Sequence, residues 1–236
     1  VLGLALVGCK STVSPPSGDC KPVAVNKGAD GLSLMVSDKV VKSMGPEYFG
    51  FNLENSEFQL SLWDAERQQV RPEVTRFLKQ HFPGAVYRYP GGTTANYHRW
   101  KTSVGKVATR KSVRINDWIE LPRIEFGVDE YLDFVGEIDG QVWYVLNLKG
   151  DIDRLADIDK LSGEAADLVR HIGERKVPVV RWELGNELDR FEEKWTSDLY
   201  VNRAQTVMAA VRKVDPKARF VAMMADFDAQ SDRGIN

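Results

Sequence analysis

Val177-Pro178-Val179-Val180-Arg181-Trp182-Glu183-Leu184-Gly185-Asn186-Glu187 is a run of strand-forming residues that breaks off at Gly-Asn-Glu. Three valines, a tryptophan and a leucine predict a buried strand, and the Gly-Asn pair ends it. An amide and a carboxyl group then stand side by side at that strand's C-terminal end. In a parallel α/β barrel this is the end where catalytic groups gather. A carboxyl held there, partly shielded from water, can act as the general acid that breaks a glycosidic bond. Taken alone, an Asn-Glu pair is more often a Glu that only caps the following loop.

The surroundings of that strand supply context. Tyr48 to Glu54 and Ala85 to Tyr89 read as strands, the second running into Pro90-Gly91-Gly92. Between them Val70, Val74, Phe77, Leu78 and His81 follow helical spacing, stopped by Pro83-Gly84. A polar stretch from about Thr93 to Phe126 reads as an elaborated loop. Val128, Tyr131, Leu132, Val135 and Ile138 stripe a helix, and Val142 to Leu148 is a strand closed by Lys149-Gly150. Ala165, Leu168, Val169 and Ile172 stripe the next helix, with Ser162 as its expected N-cap. Ala204 to Val214 makes another, starting near Thr196, and Phe220 to Met224 is a final strand. Near-continuous apolar strands alternating with amphipathic helices predict a parallel sheet covered by helices. An eight-stranded barrel and an open doubly wound sheet both fit that alternation. No strand is followed by Gly-x-Gly-x-x-Gly or a P-loop, and polar residues recur at several strand ends (Glu54, Arg88, Asn147, Glu187). Both observations favour a barrel mouth. Only five such strands are found from Tyr48 onward, so the expected fold is a (β/α)8 TIM barrel truncated after about strand five.

The 236 residues are 43% hydrophobic and 28% charged, with a formal charge of −2. That is enough material for one core, and it predicts no attraction to nucleic acid. Residues 1–8 are apolar and read as the remainder of a secretory signal. Leu6-Val7-Gly8-Cys9 resembles a bacterial lipobox, which makes Cys9 the expected lipidation site and the cell envelope the expected location. Residues 9–31 read as a flexible tether, and 32–236 as the N-terminal part of the barrel. A disulfide between the two cysteines, Cys9 and Cys20, would staple only the tether. Three scattered histidines give no metal spacing, so neither a metal nor a cofactor is expected.

Five segments in order carry a family resemblance. They are Tyr48-Phe49-Gly50-Phe51-Asn52-Leu53-Glu54, Arg88-Tyr89-Pro90-Gly91-Gly92, Phe126 to Leu132, Val145-Leu146-Asn147-Leu148, and Glu183 to Asp189. Together they resemble the clan A retaining glycoside hydrolases, closest to the α-L-arabinofuranosidase family (family 51). The resemblance implies that Glu187 is the acid/base and that Asn186 bonds the sugar 2-hydroxyl. It implies that Glu54 binds hydroxyls of the same sugar, with Thr93, Arg88 and Asn147 also on the substrate side. Trp100 would wall a sugar face, or else pack into the core. The family usually carries Asn where this chain has Thr93. The Gly-Gly-Thr version resembles the heparanase and β-glucuronidase family of the same clan. The nucleophile is expected beyond Asn236. Glu183 cannot replace it, since four residues along one strand span about 13 Å. The chain by itself is therefore expected to be inactive. The implied partner is an oligo- or polysaccharide, cleaved by an arabinofuranosidase-like or an endo-acting enzyme. A surface lipoprotein that binds polysaccharide without cleaving it is the reading from another class.

Overall fold

Five short strands lie side by side in the order in which the chain makes them. The computed structural model describes Val40 and residues 42–54, 62–114, 120–190 and 195–224. The chain divides into two units, Val1–Ser43 and Met44–Asn236, and every element below belongs to the second. Cys9, Cys20 and the tether lie outside the described residues.

The elements run β1 (Gly50–Asn52), β2 (Trp63–Asp64), β3 (Gln69–Val70), α1 (Pro72–His81) and β4 (Val86–Tyr89). They continue with β5 (Val113–Arg114), β6 (Glu120–Leu121), α2 (Val128–Glu137), β7 (Gln141–Leu146) and α3 (Ile158–Glu174). β8 (Val179–Leu184), α4 (Ser197–Arg212) and β9 (Phe220–Ala222) complete the described set. The main sheet has the order β1-β4-β7-β8-β9, every neighbour parallel. Because the order never reverses, right-handed crossovers place each connecting helix on the same face. The switch point of a doubly wound sheet is absent among the described residues.

Strand alternation sorts the side chains accordingly. Phe51, Tyr87, Tyr89, Tyr144, Trp182 and Leu184 face the helices. Tyr131 of α2 donates its hydroxyl to the Tyr87 carbonyl at 2.7 Å, and Tyr200 of α4 donates to the Leu184 carbonyl at 3.1 Å. Tyr89 stacks on Tyr131 with centroids 4.5 Å apart. The same alternation turns Asn52, Arg88, Trp143 and Glu183 to the opposite face.

The helices start where local chemistry allows. Pro72 opens α1, a first-turn position where a missing N–H costs nothing. Thr196 caps α4 by accepting from the Leu199 amide at 3.1 Å. The expected cap of α3, Ser162, is inside the helix, bonded to the Asp159 carbonyl. Asp157 caps it instead, accepting from Asp159 and Lys160, because a carboxylate satisfies two free amides at once.

The long loop after β4 is built rather than slack. It contains 3-10 turns at Thr93–Asn96, Trp100–Ser103 and Val107–Thr109 and the β5–β6 pair. Buried Arg110 braces it by donating to the carbonyls of Gly105, Ile124 and Glu125 and to Glu130. A second buried cation, Arg203 of α4, donates to the carbonyls of Leu148, Lys149 and Ala156 and so holds the segment after β7. Burial pulls its pKa below the usual arginine value.

Candidate active site

The polar face of the sheet is organised around Arg88. Its Nε and Nη2 donate to the two oxygens of Glu183 at 2.6 and 2.8 Å, a bidentate pair from β4 to β8. Nη1 reaches Asn52 Oδ1 on β1 at 2.7 Å. Glu183 also accepts from Trp143 Nε1 on β7 at 2.7 Å. Four strands are thus tied by one charge pair whose side chains are only 22% and 17% exposed. Its remaining hydrogen-bonding capacity is largely filled, as a shielded ion pair requires.

Arg88 Nη2 makes one further contact, to Asn186 Oδ1 at 2.8 Å. Arginine is donor-only, so this contact fixes which end of the amide faces it. The Nδ2 end of Asn186 makes no hydrogen bond to any described residue and is the end available to a ligand. Asn186 itself is held through its backbone by Asn96, which accepts from its N–H at 3.0 Å and donates to its carbonyl at 2.5 Å.

Glu187 follows at the same end of β8 with a φ of +46°, a left-handed conformation rare outside glycine. The shielding expected for it is not observed. Its side chain is 50% exposed and pairs with Arg190 at 3.3 Å. β8 is followed in the described sheet only by β9, so no described element crosses that side of the turn.

On the other flank, Glu54 follows β1 by two residues, and its carboxylate lies over Gly92. A Cβ at Gly92 would stand 2.3 Å from Glu54 Oε1, and one at Gly91 would stand 2.6 Å from the Leu53 carbonyl. With φ values of +56° and +62° as well, both positions require glycine. Thr93 follows directly and is exposed at the rim.

Glu54, Arg88, Thr93, Asn186 and Glu187 therefore sit at or just beyond the C-terminal ends of β1, β4 and β8 in one parallel sheet, with β7 between the last two. Two expected site residues are used otherwise. Trp100 donates its indole N–H to the Glu164 carbonyl and tilts against His171, so its contacts belong to α3. Its packing role follows from a loop that turns back over that helix. Asn147 spends its amide on the turn after β7, donating to Gly150 and His98 carbonyls and accepting from the Gly150 N–H. Sequence reasoning missed Asn52, Asn96 and Trp143, and it considered Glu183 only as a nucleophile. The register partners Asn52, Arg88 and Trp143 were the available signal, polar or amphipathic side chains on one face.

Beneath the rim, burial pushes the His98 pKa down to about 3, which keeps its ring neutral beside the Ser103 hydroxyl. No cluster of three metal-ligating side chains exists among the described residues, nor does any described helix have the length and apolarity to cross a membrane.

Residues 79–235 match the sequence profile of the Alpha-L-arabinofuranosidase 1 domain. The chain belongs to this arabinofuranosidase domain family. It is 28% identical over 172 residues to the intracellular exo-alpha-(1->5)-L-arabinofuranosidase of Streptomyces lividans, covering 67% of this chain and 25% of that protein. With alpha-L-arabinofuranosidase C of Emericella nidulans it shares 31% over 167 residues, 66% of this chain and 33% of the relative. The chain thus spans about a quarter to a third of these relatives' length. The solved alpha-L-arabinofuranosidase of Thermotoga maritima, crystallised with arabinose, superposes with a TM-score of 0.56 at 21% identity, covering 74% of this chain and 39% of that one. That likeness supports the α/β fold.

Proposed function

We propose that the full-length protein is a retaining glycoside hydrolase that releases α-L-arabinofuranosyl residues, with Glu187 as acid/base. The observation that carries this reading is the family match across β4, β7, β8 and β9, which includes the Asn186-Glu187 pair at the β8 terminus. The singly wound order of the sheet supports a (β/α)8 barrel, of which these are the first five strands.

Glu187 protonates the departing glycosidic oxygen while a second carboxylate attacks the anomeric carbon. The ionised Glu187 then takes a proton from water that hydrolyses the covalent intermediate. Retention needs the two carboxyl groups about 5 Å apart, and the second comes from a later strand of the full-length protein. Asn186 donates Nδ2 to the sugar 2-hydroxyl, a contact that tightens as charge develops at the neighbouring carbon. Arg88 fixes the amide for that donation, and Glu54 and Thr93 contact the sugar from the β1 and β4 side. Half-exposed Glu187 becomes shielded when the substrate occupies the mouth.

Gly91-Gly92-Thr93 favours a second reading, a β-glucuronidase or heparanase-like activity. Assaying the full-length protein on aryl α-L-arabinofuranosides, β-xylosides and β-glucuronides separates the two. Cleavage of none, with polysaccharide still bound, would replace both with a binding role. In the active enzyme Glu187→Ala is expected to slow poor-leaving-group substrates by about 10^3-fold or more. Unchanged turnover would remove the assignment. We further propose lipid attachment at Cys9 in the cell envelope, supported by Leu6-Val7-Gly8-Cys9 and tested by loss of the acylated species in Cys9→Ser.

A further inference from the structure

We infer that Asn96 is a positioning residue for the acid/base, holding the Gly185-Asn186-Glu187 turn in the shape that presents Glu187; this rests on the acid/base reading of Glu187. Asn96 has no solvent exposure. A buried amide must have its donor and acceptor satisfied, and here both are satisfied by the backbone of one residue, Asn186. Oδ1 accepts from the Asn186 N–H at 3.0 Å, and Nδ2 donates to the Asn186 carbonyl at 2.5 Å. The side chain imitates a neighbouring strand at the point where β8 has ended. It comes from the loop after β4, and its own carbonyl accepts from the Gly150 N–H in the turn after β7, at 3.4 Å. Three successive strand-end loops are therefore pinned to one another through this residue.

The turn needs such a clamp. Gly185 has a φ of +79° and Glu187 one of +46°, with Asn186 between them. A non-glycine residue keeps a left-handed backbone only where its surroundings over-determine it. On the N-terminal side of Glu187 the Gly185 N–H donates to the Leu146 carbonyl at 3.1 Å and Arg88 holds the Asn186 side chain, but Asn96 alone among described side chains bonds the Asn186 backbone; the Glu187 side chain itself pairs with surface Arg190. If the Asn186 peptide relaxes, the Glu187 carboxyl moves relative to the bond it protonates, while the Arg88–Glu183 pair stays in place.

The test uses the full-length protein and a series of aryl arabinofuranosides with leaving groups of increasing pKa. Asn96→Asp keeps the shape but sets an oxygen against the Asn186 carbonyl, and Asn96→Ser is too short to span both contacts. Each is expected to lose roughly 100-fold in kcat/KM on the poorest leaving groups and little on the best. The ratio between substrates does not depend on how much protein folds. Loss that is equal across the series, or no loss, overturns the inference. Glu187→Ala run in parallel separates the two claims. A flat series for that variant removes the acid/base reading itself, and a steep one beside a flat Asn96 series removes only the role of Asn96. Amide hydrogen exchange gives a readout independent of turnover: the Asn186 N–H is expected to exchange faster in Asn96→Ser, which withdraws its acceptor, and unchanged protection there counts against the clamp.

Discussion

The two faces of the same five strands are held by different physics. On the helix side, Tyr87, Tyr89, Tyr144 and Trp182 are almost wholly buried and packed ring against ring. On the other side, Asn52, Arg88, Trp143 and Glu183 form one hydrogen-bonded network with partial access to water. The first face is satisfied by volume and tolerates little change of shape. The second is satisfied by direction, since each donor has one acceptor to find. Alternation along a strand lets the packed face carry stability and frees the other for chemistry.

That contrast can be broken from either side. Removing the Trp182 ring is expected to have the largest effect on stability, a loss of about 4 kcal/mol for Trp182→Ala by denaturant unfolding. Its effect on the catalytic rate of the remaining folded enzyme should be small. Glu183→Ala strands the Arg88 charge and is expected to cost about 3 kcal/mol. Unlike the Trp182 change, it should also reduce kcat of the folded enzyme, because Arg88 no longer presents Asn186. Equal kinetic damage from the two variants would erase the distinction drawn here.

A pH measurement sharpens the boundary between the faces. His98 is neutral in the folded chain, with its pKa near 3 against an ordinary 6.5. As pH falls below about 6.5, the unfolded chain takes up a proton that the folded chain refuses. Stability is therefore lost through the window from 6.5 down to 3, by up to about 1.4 kcal/mol per pH unit from this group. His98→Gln should flatten that part of the profile, and an identical slope would show that the ring titrates freely. The smallest effect is expected at the rim. Thr93→Ala should change stability by less than about 0.5 kcal/mol and act on KM alone.

Much of the architecture is legible in the sequence. The five strands of the main sheet and the helices between them follow from apolar runs and 3.6-residue stripes. Glu54, Arg88 and Glu187 were found by asking which polar groups end strands. Short elements were not legible. β2 and β3 are two residues each and carry no period, and Ser162 looked like a cap because Asp157 lay outside the apolar stripe. Asn96 had no sequence signal at all, since its partner is 90 residues away. Trp100 and Asn147 illustrate the opposite case. Both are of types that bind sugars; the Trp100 indole N–H is taken by the Glu164 carbonyl of α3, and the Asn147 amide by its own turn and the His98 carbonyl. Residue type and position announce a strand end, whereas they do not announce what a neighbouring loop has already claimed.

Arg203 places a guanidinium among the carbonyl oxygens of Leu148, Lys149 and Ala156. A ring of carbonyls is the kind of nest that elsewhere captures an alkali or alkaline-earth ion from solution. Here the positive charge is bonded to the polypeptide and arrives with helix α4 as it docks. Occupancy is then complete whatever the mineral content of the medium, and chelators find nothing in this nest to extract.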